Sequence, residues 1–143
     1  MTTFISGIPN DRIDDVWDSV KDFIEMGNSK SRQEMGIEDI YEKLINRDMQ
    51  LWILEDEEAE IVACLTTEIM IYPKKKTCRI VTLGGKNLDE WVEGLLHVIE
   101  SWAIDNDCEA IETACRKGFT KKIMKFGYDH TYTILGKELN TLH

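Results

Sequence analysis

Between Leu88 and Ala103 the apolar residues Leu88, Trp91, Val92, Leu95, Ile99, Trp102 and Ala103 return every three or four positions, the stripe of an amphipathic helix. Ile13, Val16, Trp17, Val20, Phe23 and Ile24 keep the same spacing from Asn10 or Asp11, either a good N-cap, to a stop at Gly27. Ile37, Ile40, Tyr41, Leu44 and Ile45 repeat it in a shorter helix. Elsewhere the pattern is that of strands: a short run stopped by Pro9 (4–9), then 49–58 with an acidic turn, 59–73 ended by Pro73, and 74–85 returning across Lys74–Lys76. After the long helix come a largely buried strand at 108–115, a short helix at 118–128 ended by Gly127, and a last strand at 130–139.

The order is strand, two helices, three meander strands, long helix, strand, short helix, strand. A helix between two strands calls for a parallel crossover, so the expected architecture is an α/β fold with a mixed sheet of about six strands. No repeat, low-complexity tract or linker divides residues 1–143, and 43% apolar content suffices for one core, so a single domain is expected.

Charge narrows the partners. The net charge is −10, and residues 1–60 hold 16 acids against 6 bases whereas residues 61–143 hold 11 of each. This balance argues against general affinity for nucleic acid or anionic lipid, which clustered Lys and Arg drive. Cys64, Cys78, Cys108 and Cys115 lie in or beside apolar runs with no CxxC pair and no His at ligand spacing, so all four read as reduced, buried core thiols and no metal is expected. No stretch approaches the ~18 apolar residues of a membrane span, and a cytoplasmic location is expected.

With this element order in view, "LLHVIESWAIDNDCEAIETAC" (95–115) and "IMKFGYDH" (123–130) are similar to the long helix with its following strand, and to the segment after the short helix, of the GNAT N-acetyltransferase family. The resemblance spans nearly the whole chain in element order and is thinner in motifs. It implies a cofactor, acetyl-CoA. Its pyrophosphate rests on a loop at the start of the long helix, where Arg or Gln is followed three residues later by Gly and two later again by Gly or Ala, and where a side chain obstructs the backbone's approach. That motif falls on Asn87–Val92, and none of its signature residues is present. Glu90 and Val92 place side chains where glycine or alanine is expected, and Asp89 and Glu90 bring negative charge. Gly84, Gly85 and Lys86 form either a phosphate-binding loop a few residues early or a plain strand-to-helix turn with Asn87 as N-cap, and the turn is the simpler reading.

The resemblance also implies a general base, a Glu on the meander strands, and a general acid, a Tyr placed four residues before Gly-Phe. The tyrosine position falls on Ile123, which has no proton to donate. Glu68 and Glu112 are the available carboxylates and Cys115 the available nucleophile. Val81, Leu83, Gly84, Gly85, Lys86, Asn87 and Arg116 are the candidate cofactor contacts, with Lys117, Lys121, Lys122 and Lys125 extending the basic cluster. A cleft between the fourth and fifth strands is expected to be lined by Val81, Leu83, Ile111 and Thr113 and filled by the protein itself.

Arg116-Lys117-Gly118-Phe119 is similar to a pattern before the short helix in divergent GNAT-like proteins of tailed bacteriophages, including internal virion proteins. The expectation is therefore a GNAT-like protein with a degenerate acetyl-CoA loop and no bound cofactor. It serves in binding or virion assembly with a protein partner such as a phage structural protein, in host cytoplasm or virion. The alternative is an acetyl-CoA-dependent N-acetyltransferase acting on a cationic amine or Lys-containing acceptor, which the acidic N-terminal helices suit.

Overall fold

In the computed structural model, residues 3–28, 34–115 and 117–139 are described. They form β1 (Phe4–Ile8), α1 (Ile13–Asn28), α2 (Ile37–Ile45), β2 (Gln50–Glu55), β3 (Ile61–Tyr72), β4 (Lys75–Gly85), α3 (Leu88–Asp105), β5 (Ala110–Thr113) and α4 (Lys117–Met124). One five-stranded sheet runs β1-β2-β3-β4-β5. β1 to β4 are antiparallel neighbours, and β5 lies parallel to β4 across the α3 crossover. The fold is α/β with a mixed sheet, as the pattern predicts.

One expected strand is missing: residues 128–139 carry no strand and lie exposed from Asp129 onward, so the sheet has five strands rather than about six among the described residues. The turns follow local chemistry. Asp56 turns the β2–β3 hairpin by accepting the N–H groups of Glu58 and Glu60 through Oδ1 at 2.9 and 3.0 Å, an Asx arrangement. Pro73 and Lys74 join β3 to β4 as a two-residue hairpin, one residue earlier than the lysine run suggests.

The sheet carries a core on each face. Ile13, Val20 and Ile24 of α1 with Ile40 and Leu44 of α2 cover Leu51, Ile53 and Cys64. On the other face Trp91, Leu95, Leu96, Ile99 and Ala103 of α3 cover Trp52, Leu54, Ala63, Leu65, Cys78 and Ile80. Trp102, half-buried, packs edge-on against Trp52 with ring centroids 5.2 Å apart, a favoured aromatic geometry. Leu95 and Ile99 are fully buried in the middle of this layer. Leu95→Ala should therefore cost about 2–5 kcal/mol of unfolding free energy, the range for a truncated core leucine; urea denaturation checks it, and a loss well below 1 kcal/mol refutes the assigned face.

Candidate binding cleft

The cleft arises from a change of step in β4. Thr67 pairs with Ile80 and Thr66 with Thr82, leaving Val81 as an extra residue on β4. Such a bulge bends its strand and re-aims the residues beyond it. β5 pairs with β4 only over Thr77–Ile80 and ends at Thr113, so past the bulge the two strands part. A cleft of about 180 Å³ opens there, lined by Ile80, Val81, Thr82, Leu83, Gly84 and Gly85 on one side and Thr113, Ala114, Cys115 and Phe119 on the other. Leu88 and Trp91 of α3 and Met26 and Gly27 of α1 complete the lining. The expectation of a filled gap is thus corrected: the space is open, and Ile111 packs toward the α3 core instead of lining it. Val81, Leu83 and Thr113 line it as expected.

The glycines beside the cleft answer to packing. A Cβ on Gly84 would lie 2.1 Å from the carbonyl oxygen of Phe23, and one on Gly27 2.7 Å from the backbone nitrogen of Leu83. α1 and β4 therefore touch backbone to backbone. A Cβ on Gly85 would lie 2.2 Å from that of Ala63 on β3. Gly27 had read as a helix stop, but the helix runs through it to Asn28; what requires glycine is the strand across from it.

The turn into α3 is closed by its own bonds. Lys86 donates its backbone N–H to Val62 O at 3.0 Å, and its carbonyl accepts the Trp91 indole N–H at 2.6 Å. Asn87 stands at the N-cap in a left-handed conformation (φ 55°) with no side-chain cap bond, so the expected position holds but the expected cap does not. Asparagine tolerates this conformation better than most residues. Val92 is buried among core residues under the helix and does not obstruct the cleft mouth. Asp89 and Glu90 are exposed, and Asp89 pairs with Lys122 of α4 at 3.1 Å. Between two largely exposed side chains this pair adds little stability, yet it offsets the charge that the sequence sets against an anion.

The candidate acid–base groups are elsewhere. Glu68 lies 3.7 Å from Lys43 of α2. Glu112 accepts the Tyr72 hydroxyl at 2.7 Å and pairs with Arg79 at 3.3 Å. Neither lines the cleft. Ile123 is buried in the α3-face core, 4% exposed. Tyr128 donates to Glu100 of α3 at 2.7 Å; burial, with this hydrogen bond second, drives its pKa upward. Of the candidates only Cys115 joins the cleft lining, exposed and 3.3 Å from the Thr120 hydroxyl. Lys125 sits 5.2 Å from the Phe126 ring centroid, and Arg116 lies outside the described residues. No group of three or more His, Cys, Asp or Glu able to hold a metal occurs among the described residues. Trp91, expected from its bulk in the first turn of α3 to guard the mouth of the cleft, does line it, whereas Met26, Gly27, Leu88 and Phe119 are lining residues that sequence reasoning missed.

This architecture is shared by solved structures along its whole length. Glucosamine-6-phosphate N-acetyltransferase from Arabidopsis thaliana superimposes with a TM-score of 0.69 at 12% identity, over 98% of this chain and 100% of that one. The fold is that of the GNAT acetyltransferases. A Clostridium acetobutylicum structure described as a "predicted acetyltransferase with acetyl-CoA" gives 0.69 at 15% identity over 97% and 96%. An aminoglycoside acetyltransferase from an uncultured soil metagenomic sample, in complex with sisomicin, gives 0.66 at 12% over 99% and 97%. No protein-family profile matches the sequence, and no curated protein resembles it significantly. On this GNAT fold no described helix is long and apolar enough to cross a membrane.

The thiols give the geometry a direct test. Burial pushes Cys64 and Cys78 up to about 12 and raises Cys108, which withholds the reactive thiolate; the expectation of four core thiols fails at Cys115, which is exposed because β5 ends at Thr113 and leaves it beyond the sheet. A thiol reagent at pH 8 should label Cys115 fast and the other three only on unfolding, and Cys115→Ser should abolish the fast phase. A second fast thiol in the variant refutes the burial pattern.

Proposed function

We propose that this chain is a GNAT-fold binding protein that keeps the β4–β5 cleft without the acyl-transfer machinery. One observation carries the reading. Ile123, at the position where the family resemblance expects the acid tyrosine, is sealed in the core, while the expected glycine loop is instead the first turns of α3. Protonating a departing thiolate requires a donor at the reacting atoms, and the cleft walls offer the hydroxyls of Thr82 and Thr113 and the thiol of Cys115. Thr82 is already bonded to Thr66, and Thr113 donates to Ile80 O. The partner fitting this reading is another protein, and the loose resemblance at 116–119 to phage internal virion proteins supports a role in particle assembly.

A second reading, an active acetyl-CoA-dependent N-acetyltransferase, is favoured by the cleft itself. It is open beside Gly84 and Gly85, and Lys122 offsets the charge of Asp89.

Thermal unfolding with and without about 1 mM acetyl-CoA separates the two. A ligand at 100 times its Kd adds about 2.7 kcal/mol, on the order of 5–10 °C in Tm for a chain of this size. No shift is expected. A concentration-dependent rise with acetylation of spermidine or a Lys-containing peptide overturns the proposal in favour of the enzyme; a rise without acetylation makes acetyl-CoA a bound ligand and leaves the machinery lost.

A further inference from the structure

The walls of the β4–β5 cleft are apolar and held in place. Met26, Val81, Leu83, Leu88, Trp91 and Phe119 bring aliphatic and aromatic groups to it, and no charged residue lines it among the described residues. The space does not close on itself, because each wall is fixed from behind. α1 meets β4 backbone to backbone at Gly27 and Gly84 and can come no nearer, while the Trp91 ring is tied through its indole N–H to Lys86 O at 2.6 Å. At about 180 Å³ the cleft is a little larger than an engineered apolar cavity of about 150 Å³ that binds benzene. Its few polar groups already have partners. Thr82 is bonded to Thr66, the Cys115 thiol lies 3.3 Å from the Thr120 hydroxyl, and Thr113 Oγ1 donates to Ile80 O at 3.1 Å. With that donor spent, the Thr113 oxygen retains acceptor capacity alone.

We infer that the cleft binds a small neutral aromatic molecule bearing one hydroxyl or N–H donor, its ring enclosed by the apolar walls and its donor on Thr113 Oγ1. The volume admits one ring with a small substituent. Charge selects a neutral molecule: a carboxylate, phosphate or ammonium group drawn between these walls would lose its water and meet no opposite charge, which is costly. Trp91 and Phe119 favour a ring over an aliphatic chain, since aromatic pairs gain beyond their buried area. The Thr113 oxygen asks for a single donor, because further donors inside the cleft would go unpaired, and a few placed polar groups in an apolar pocket are what fix a ligand's orientation. The inference rests on the reading that the cleft is kept without the transfer machinery, and it adds a small ligand to the protein partner proposed there.

Phenol and toluene, which share one ring and differ in the donor, are the probes. Titrated into the isotope-labelled full chain, phenol should move the amide signals of residues 81–85 and 113–115 and the indole N–H of Trp91 to saturation, with a Kd on the order of 1 mM, as burial of a single ring supplies. Thr113→Val should weaken phenol about 2- to 10-fold, the worth of one hydrogen bond, and leave toluene unchanged. Cys115→Trp, on an exposed residue beyond the end of β5 where the fold tolerates bulk, should fill the cleft and abolish both. The absence of a saturable shift overturns the inference. So do shifts that survive in Cys115→Trp, which put the ligand elsewhere, and equal effects of Thr113→Val on phenol and toluene, which remove the donor contact. The reading beneath the inference fails on a different readout, acetylation of spermidine, which neither probe reports.

Discussion

The approach of α1 to the end of β4 is the contact on which the arrangement depends. Gly27 and Gly84 let a helix and a strand meet without intervening side chains, and a single methyl on Gly84 would fall 2.1 Å from the Phe23 carbonyl oxygen. That contact holds α1 against β4 just where β4 has left β5. Without it the bulged end of β4 would have β3 alone for support, since α3 covers the opposite face. The cleft inherits its shape from this: Met26 and Gly27 close one side because α1 can come no nearer, and Gly84 and Gly85 keep the strand backbone bare along the wall.

The bulge is stabilised by hydroxyl groups. Thr66 and Thr82, both buried, share a 2.8 Å hydrogen bond, and the Thr66 hydroxyl also accepts the Thr82 N–H at 3.2 Å. An inserted residue leaves ladder groups without strand partners, and a buried unpaired N–H is expensive, so the side chain does what the neighbouring strand no longer does. A second polar chain lies nearby: the Trp52 indole donates to Thr67 at 3.1 Å, and Thr67 to Gln50 at 2.9 Å. Thr66, Thr67 and Thr82 are satisfied in this way, so β3 and β4 carry these buried threonines and still keep the step that opens the cleft; the Thr77 hydroxyl of β4, also buried, has no such partner among the described residues.

Much of the fold is legible in the sequence because each helix buries one stripe against a sheet face, a pattern that depends on little beyond the local chain. Trp91, Leu95 and Ile99 illustrate this, and the parallel β5 follows from the crossover rule. The site is less legible because its determinants are distant pairs. Gly84 looks like part of an anion loop until Phe23 and Gly27, more than fifty residues earlier, supply the reason for it. The extra residue at Val81 leaves no mark in composition, because a bulge is a mismatch between two strands and neither carries it alone. His130–Leu139 fails for a related reason: alternation and β-branching describe a segment able to pair, but not whether an edge in the same chain will receive it.

The entry to α3 shows how one fold exchanges one use of a helix terminus for another. A glycine loop keeps backbone N–H groups bare and aimed at an anion, which leaves the first turn dependent on the ligand. Here the turn carries its own support. Trp91 fills the space above β4 and ties its indole to Lys86 O, Lys86 N–H is held by Val62, and the acids Asp89 and Glu90 complement the positive end of the helix dipole. Acids so placed stabilise a helix by about 0.3–1 kcal/mol each. The same charges repel a pyrophosphate, and Lys122 from α4 answers only one of them. A helix start stabilised by its own residues has less to gain from an anion, so the features that keep α3 fixed over the sheet also weaken the case for phosphate at its end. The cleft below, walled by β4 and Thr113–Cys115, does not depend on that terminus and remains available to a ligand that carries no phosphate.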